Sequence, residues 1–92
     1  MALIVQKYGG TSVGSIEKIE GVARKVIACQ QAGNQVVVVV SAMSGETNRL
    51  IELARQIDES PNAREYDVLV STGEQVTIAL LSMAITKQGA RA

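Results

Sequence analysis

The residues of this chain that could do chemistry gather in short segments, the first being Lys7-Tyr8-Gly9-Gly10-Thr11-Ser12. Glycines permit backbone conformations and close approaches that a Cβ would block. Successive N–H groups in such a turn form an anion-binding concavity, and a helix start behind it adds a favourable field. Lys7 places a full positive charge just before the turn, and Thr11 and Ser12 supply hydroxyls. The segment reads as a phosphate site. It is not a Walker A loop, whose lysine follows the glycines, nor a GxGxxG fingerprint. A tight strand-to-helix turn with a solvated lysine would use the same residues, so the glycines alone leave both readings open.

The second segment is Ser41-Ala42-Met43-Ser44-Gly45-Glu46-Thr47-Asn48. Hydroxyls at Ser41, Ser44 and Thr47 can orient a polar substrate, although Ser44 or Thr47 would cap a helix in any case. The third is Ser71-Thr72-Gly73-Glu74. Glu74 lies among apolar residues that include Val70 and Val76. A carboxylate partly buried there needs a cationic partner, and a substrate ammonium would serve. The spacing alone favours a plainer reading, a surface glutamate at the start of a helix.

The elements that must hold these segments follow from hydrophobic periodicity. Leu3 to Val5 is a short apolar run bounded by glycines, which reads as a strand. Ile16, Ile19, Val22, Ala23, Val26 and Ile27 recur at helical spacing, with Glu17, Lys18, Glu20, Arg24 and Lys25 on the solvated face. Ser15 is its candidate N-cap, and Gly33-Asn34 its stop. Val36 to Val40 is an unbroken β-branched run, which predicts a strand buried on both faces. Leu50, Ile51, Leu53, Ala54 and Ile57 predict a second amphipathic helix, capped at Ser44 or Thr47 and ended by Ser60-Pro61-Asn62. Arg64 to Gln88 is mostly helical, with Ser71-Thr72-Gly73 as a kink or a break and Gly89 as the end. Met43, Met83 and the apolar stripes are expected in the core. The order strand, helix, strand, helix, helix argues for an α/β fold with a parallel pair joined by a right-handed crossover. Ligands of such sheets bind beyond the carboxyl ends of the strands, so the first two segments should lie side by side.

Composition narrows the class. The chain has 92 residues, 47% of them hydrophobic, and nine basic residues balance nine acidic ones. That is globular, with no basic excess to mark a nucleic-acid footprint. Histidine is absent, and the single cysteine, Cys29, forms no internal disulfide and reads as a small core residue. The N-terminus has no signal-peptide pattern, and the longest apolar run is far short of the ~20 residues a spanning helix needs. A soluble, cytoplasmic protein is expected. Two strands cannot cover three apolar helices, and the chain stops at Gly89-Ala90-Arg91-Ala92, where a further strand should begin. A piece of a larger α/β domain is therefore expected.

Lys7 to Val13, Val38 to Asn48 and Ser71 to Glu74, in this order, resemble the aspartate kinases, a branch of the amino-acid kinase family. The glycine loop would also suit other members of that family, such as acetylglutamate kinases. The second and third segments point to the aspartate branch. The resemblance implies a three-layer parallel-sheet fold, of which residues 1–92 form the first β-α-β-α-α portion of the catalytic domain. The rest of that domain, with the adenine pocket, and C-terminal ACT regulatory domains would lie outside it. It implies transfer of the γ-phosphoryl of ATP, with Mg2+ bound through the nucleotide, to the side-chain carboxylate of L-aspartate. That step leads towards lysine, threonine and methionine. Lys7 would be catalytic. Lys7, Tyr8, Gly9, Gly10, Thr11 and Ser12 would bind ATP phosphates, and Ser41, Thr47 and Glu74 the aspartate. No protein metal ligand is implied here. The chain would be inactive alone, and would associate with itself or with the remainder of the enzyme. Two rivals stand beside this reading: a non-catalytic phosphate-binding or self-associating piece, and a related kinase acting on another carboxylate.

Overall fold

The valine run and the N-terminal apolar run pair as parallel strands, which forces the chain between them to cross over as a helix. A computed structural model describes all residues, 1–92. Strand β1 is Leu3–Tyr8 and strand β2 is Gln35–Val40, paired from Leu3↔Gln35 to Tyr8↔Val40. Between them lie a 3₁₀ turn, Gly10–Val13, and helix α1, Ile16–Gln31. Helices α2, Glu46–Ile57, and α3, Ala63–Lys87, follow.

The ends of α1 are set locally, as the sequence suggests. The Lys18 amide donates to Ser15 Oγ at 3.2 Å, and Gly33 takes φ 94° just past the last turn. The cap of α2 differs from both candidates. Neither Ser44 nor Thr47 caps it; Gly45 does, at φ 84° and without a side-chain bond. The backbone reverses so tightly there that it needs the left-handed region, which glycine alone enters freely. Asn62 opens α3, its Oδ1 accepting from the amides of Arg64 and Glu65 at 3.0 and 3.3 Å.

Ser71-Thr72-Gly73, expected as a kink or a break, does not divide the helix, and α3 runs unbroken for 25 residues. The Ser71 and Thr72 hydroxyls donate back to the carbonyls of Val68 and Leu69 at 2.8 and 2.6 Å, which satisfies both hydroxyls within the helix. Gly73 is buried against the segment that follows β2. The helix is long and apolar enough to cross a membrane by length and composition alone. In this fold its Leu81 and Ile85 are buried in a core shared with α1.

That core comprises Val13, Ile19, Val22, Ala23, Val26, Leu81 and Ile85, with Tyr8, Val36, Val38 and Val40 packed against it. All of it lies on one face of the sheet. The expectation that β2 is buried on both faces is therefore not met: Val37 and Val39 are each 47% exposed, and Leu3 and Val5 beside them 64%. The reason is the pleat. Alternate residues face opposite sides, and α1 and α3 both pack on the same side. Met83, expected in the core, is 66% exposed on the outer side of α3. Met43 packs against the core as expected. Cys29 is half-buried, its carbonyl accepting from Asn34 Nδ2 at 3.0 Å.

The radius of gyration is 15.4 Å, against about 12 Å for a compact domain of this length. Helix α3 accounts for the excess, since 25 residues span ~37 Å of a molecule 49 Å long.

Candidate phosphate and substrate site at the strand ends

Both strands run the same way, so their carboxyl ends deliver two segments to one place. Gly9 to Gly14 leaves β1 there, and Ser41 to Gly45 leaves β2. Backbone groups knit them together. Ser41 N donates to Tyr8 O at 3.1 Å, and Ser44 N to Gly10 O at 3.1 Å. Gly10 is required by this closeness, because a Cβ on it would stand 2.9 Å from the Ala42 carbonyl oxygen. The first turn closes on itself through Ser12 N to Gly9 O at 3.0 Å, and Val13 anchors it in the core, fully buried.

The turn has the features of an anion site. The Gly9 amide has no backbone acceptor within the protein, and the opening donors of a short helix lack intrahelical partners. Thr11 and Ser12 are exposed beside it. Lys7 is also exposed, without an ion-pair partner. It lies on the open face of the sheet, opposite Val39, one residue before the turn's glycines. Tyr8 takes the covered face, and its hydroxyl donates to Gln6 Oε1 at 2.7 Å. Burial, and secondarily the nearby Cys29 thiol, raise its phenol above the usual tyrosine range.

Ser41 and Thr47 are half-buried at the two ends of the second segment, and Thr47 sits in the first turn of α2. Glu46 beside it forms an ion pair with Arg49, at 2.6 and 3.0 Å, which holds its carboxyl below the ordinary range. Glu74 is exposed, so the partial burial considered for it is not found. It directly follows Gly73, where α3 meets the second segment: a Cβ on Gly73 would lie 3.0 Å from Ala42 Cβ and 3.5 Å from Glu46 Cγ. The fold thus gathers the glycine turn, the Ser41–Thr47 segment and the Gly73-Glu74 pair at one end of the sheet.

Two lysines escaped the sequence reading, which placed them on a solvated helix face. Lys18 Nζ donates to Thr11 O at 3.0 Å. Lys18 and Lys25 line, with Tyr8, Thr11 and Ser12, an open concavity of about 430 Å³ behind the turn. Their spacing of two helical turns was visible in the sequence. Their alignment with the turn depends on where α1 docks.

The pattern of the amino acid kinase family matches residues 2–92. An aspartokinase of Pseudomonas aeruginosa is 73% identical over 89 residues, which cover 97% of this chain and 22% of that protein. Aspartokinase 2 of Bacillus subtilis is 60% identical over 89 residues, with the same coverage. The crystal structure of an aspartate kinase from Synechocystis superimposes with a TM-score of 0.93 at 55% identity, covering 95% of this chain and 15% of that one. The chain spans about a fifth of the length of the curated relatives it matches. The family match along nearly its whole length, residues 2–92, shows that this chain belongs to the amino acid kinase family.

Proposed function

We propose that the full-length protein carrying this chain is an aspartate kinase, which transfers the γ-phosphoryl group of MgATP to the side-chain carboxylate of L-aspartate and yields 4-aspartyl phosphate. One observation carries the reading. The phosphate-type turn and the Ser41–Thr47 segment are joined backbone to backbone at the strand ends, in a chain 73% identical to an aspartokinase. Phosphoryl transfer asks for in-line positioning and charge neutralisation more than for covalent help. Lys7 supplies the charge: its ammonium stands against the transferring phosphoryl group and is worth most at the loose, anionic transition state. The amides at Gly9 and Gly10, with the Thr11 and Ser12 hydroxyls, hold phosphate oxygens. Tyr8 contributes through the backbone it fixes against the core. Thr47 and Ser41 take the polar end of aspartate, and Glu74 its ammonium. Mg2+ bound through the nucleotide would neutralise phosphate charge there, and no residue of this chain is assigned to hold it. The product feeds amino-acid biosynthesis, and the setting is cytoplasmic.

The test is an acyl-phosphate assay on the full-length protein, trapping product with hydroxylamine. MgATP is supplied with aspartate, glutamate or acetylglutamate. Aspartate-dependent product is expected. Product with another acid keeps the reaction and moves the substrate. No product from a folded protein removes the kinase reading.

A second reading has its own observation, the bare apolar face formed by Leu3, Val5, Val37 and Val39. A chain with such a face associates with copies of itself or with the remainder of the enzyme. Sedimentation of the 92-residue chain at rising concentration is expected to show association, and a monomer throughout would count against it.

A further inference from the structure

Glycine is the poorest residue but proline in a helix interior, so Gly73 near the middle of an unbroken 25-residue helix calls for a reason. It is buried, and what it faces are the side chains of Ala42, Glu46 and Leu50. A Cβ there would stand 3.0 Å from Ala42 Cβ, against the 3.5–4.0 Å at which carbon atoms rest. Glu46 Cγ and Leu50 Cδ1 would each lie at 3.5 Å. Ala42 cannot retreat. It is 6% exposed, and its carbonyl oxygen backs onto Gly10, where a Cβ would come within 2.9 Å. An alanine side chain has no rotamer to turn away.

We infer that Gly10, Ala42 and Gly73 form a three-layer spacer, and that Gly73 is a positioning residue which sets where the Ser41–Thr47 segment stands between the phosphate turn and α3. The inference rests on the aspartate kinase reading for its consequence, and on the packing alone for its existence. A methyl group added at Gly73 drives the segment sideways, because the Gly10 backbone stands behind it. Ser41 and Thr47 move with the segment, and the Ser44 amide loses its alignment on Gly10 O. Lys7 lies on the strand, outside the spacer. The aspartate side of the site is therefore disturbed more than the nucleotide side.

The experiment compares Gly73→Ala with the double variant Gly73→Ala/Ala42→Gly in the full-length protein. The double variant keeps one methyl group at the contact and moves it to the other side. Hydrogen exchange across residues 41–48 is measured without substrate, and KM and kcat are measured for aspartate and MgATP. Gly73→Ala is expected to hasten exchange of that segment and to raise KM for aspartate about tenfold, with a much smaller change for MgATP. The double variant is expected to return both readouts to within about twofold of the parent. Exchange and kinetics of Gly73→Ala equal to the parent's would overturn the spacer, as would a double variant as impaired as the single one. If Gly73→Ala alone does not fold, a folded double variant supports the spacer and an unfolded one overturns it. A parent protein that makes no aspartyl phosphate defeats the functional reading only, because the exchange measurement still decides the spacer.

Discussion

The two faces of the small sheet are built from the same kinds of residue and meet opposite fates. Val36, Val38 and Val40 pack beneath α1 and α3, while Val37 and Val39 between them stand open. Tyr8 is turned into the helical layer and Lys7, its neighbour, away from it. The covered face holds the structure together. The open face carries, at its end nearest the glycine turn, the one residue to which the proposed chemistry assigns a full charge. A strand keeps these roles apart at no cost, because its side chains alternate with a period of two.

The largest expected effect sharpens that division. Lys7→Ala should lower aspartate-dependent acyl phosphate formation by about 10²–10³ in kcat, the usual loss when a donor to developing charge is removed. The melting temperature should stay near the parent's, since Lys7 is exposed and unpaired. A large fall in stability with little change in kcat would reverse the roles assigned to the two faces. Ile19→Ala is the converse. Ile19 is 1% exposed at the centre of the core, and its truncation should cost roughly 2–5 kcal/mol by denaturant unfolding.

Substitutions one residue apart on β2 test the comparison more finely. In the 92-residue chain Val38→Ser should destabilise by roughly 1–2 kcal/mol, because it sets a hydroxyl against the core. At concentrations low enough for the chain to be monomeric, Val39→Ser should stay within about 0.5 kcal/mol. Equal costs would mean that the open face is covered in solution.

The smallest effect belongs to the exposed Glu46–Arg49 pair at the start of α2. The hydrogen bond from Arg49 lowers the folded pKa of Glu46, with their mutual attraction adding to it. Its stabilisation is therefore complete above the unfolded glutamate value of ~4.3 and fades as pH falls through the lowered folded value. Melting curves of the parent and Glu46→Gln should differ slightly at pH 7 and converge in acid. High salt should erase the difference, as for other exposed pairs.

Much of the fold was legible because local rules decide it. Ser15 accepts from the third amide of α1, Gly33 enters the left-handed region where the helix stops, and the strands pair in parallel. The misreadings share one cause. The Ser71-Thr72-Gly73 break and the doubly buried valine strand were inferred from residue preferences, and both are settled by what packs alongside. Gly73 is a helix-breaking residue only if nothing needs its missing Cβ. Met83 is a core residue only if another element covers its side of α3.

The sequence by itself determined the order and type of the elements, the phosphate-type turn after β1, and the family to which its motifs belong. Those follow from periodicity, from caps, and from glycines at a strand end, all of which act within a few residues. Only the tertiary structure decided which face of the sheet is covered, that Lys18 reaches Thr11 O, and that Gly73 touches Ala42. These depend on where helices dock. Docking is fixed by the whole apolar surface being buried at once, and no short stretch of sequence contains that information.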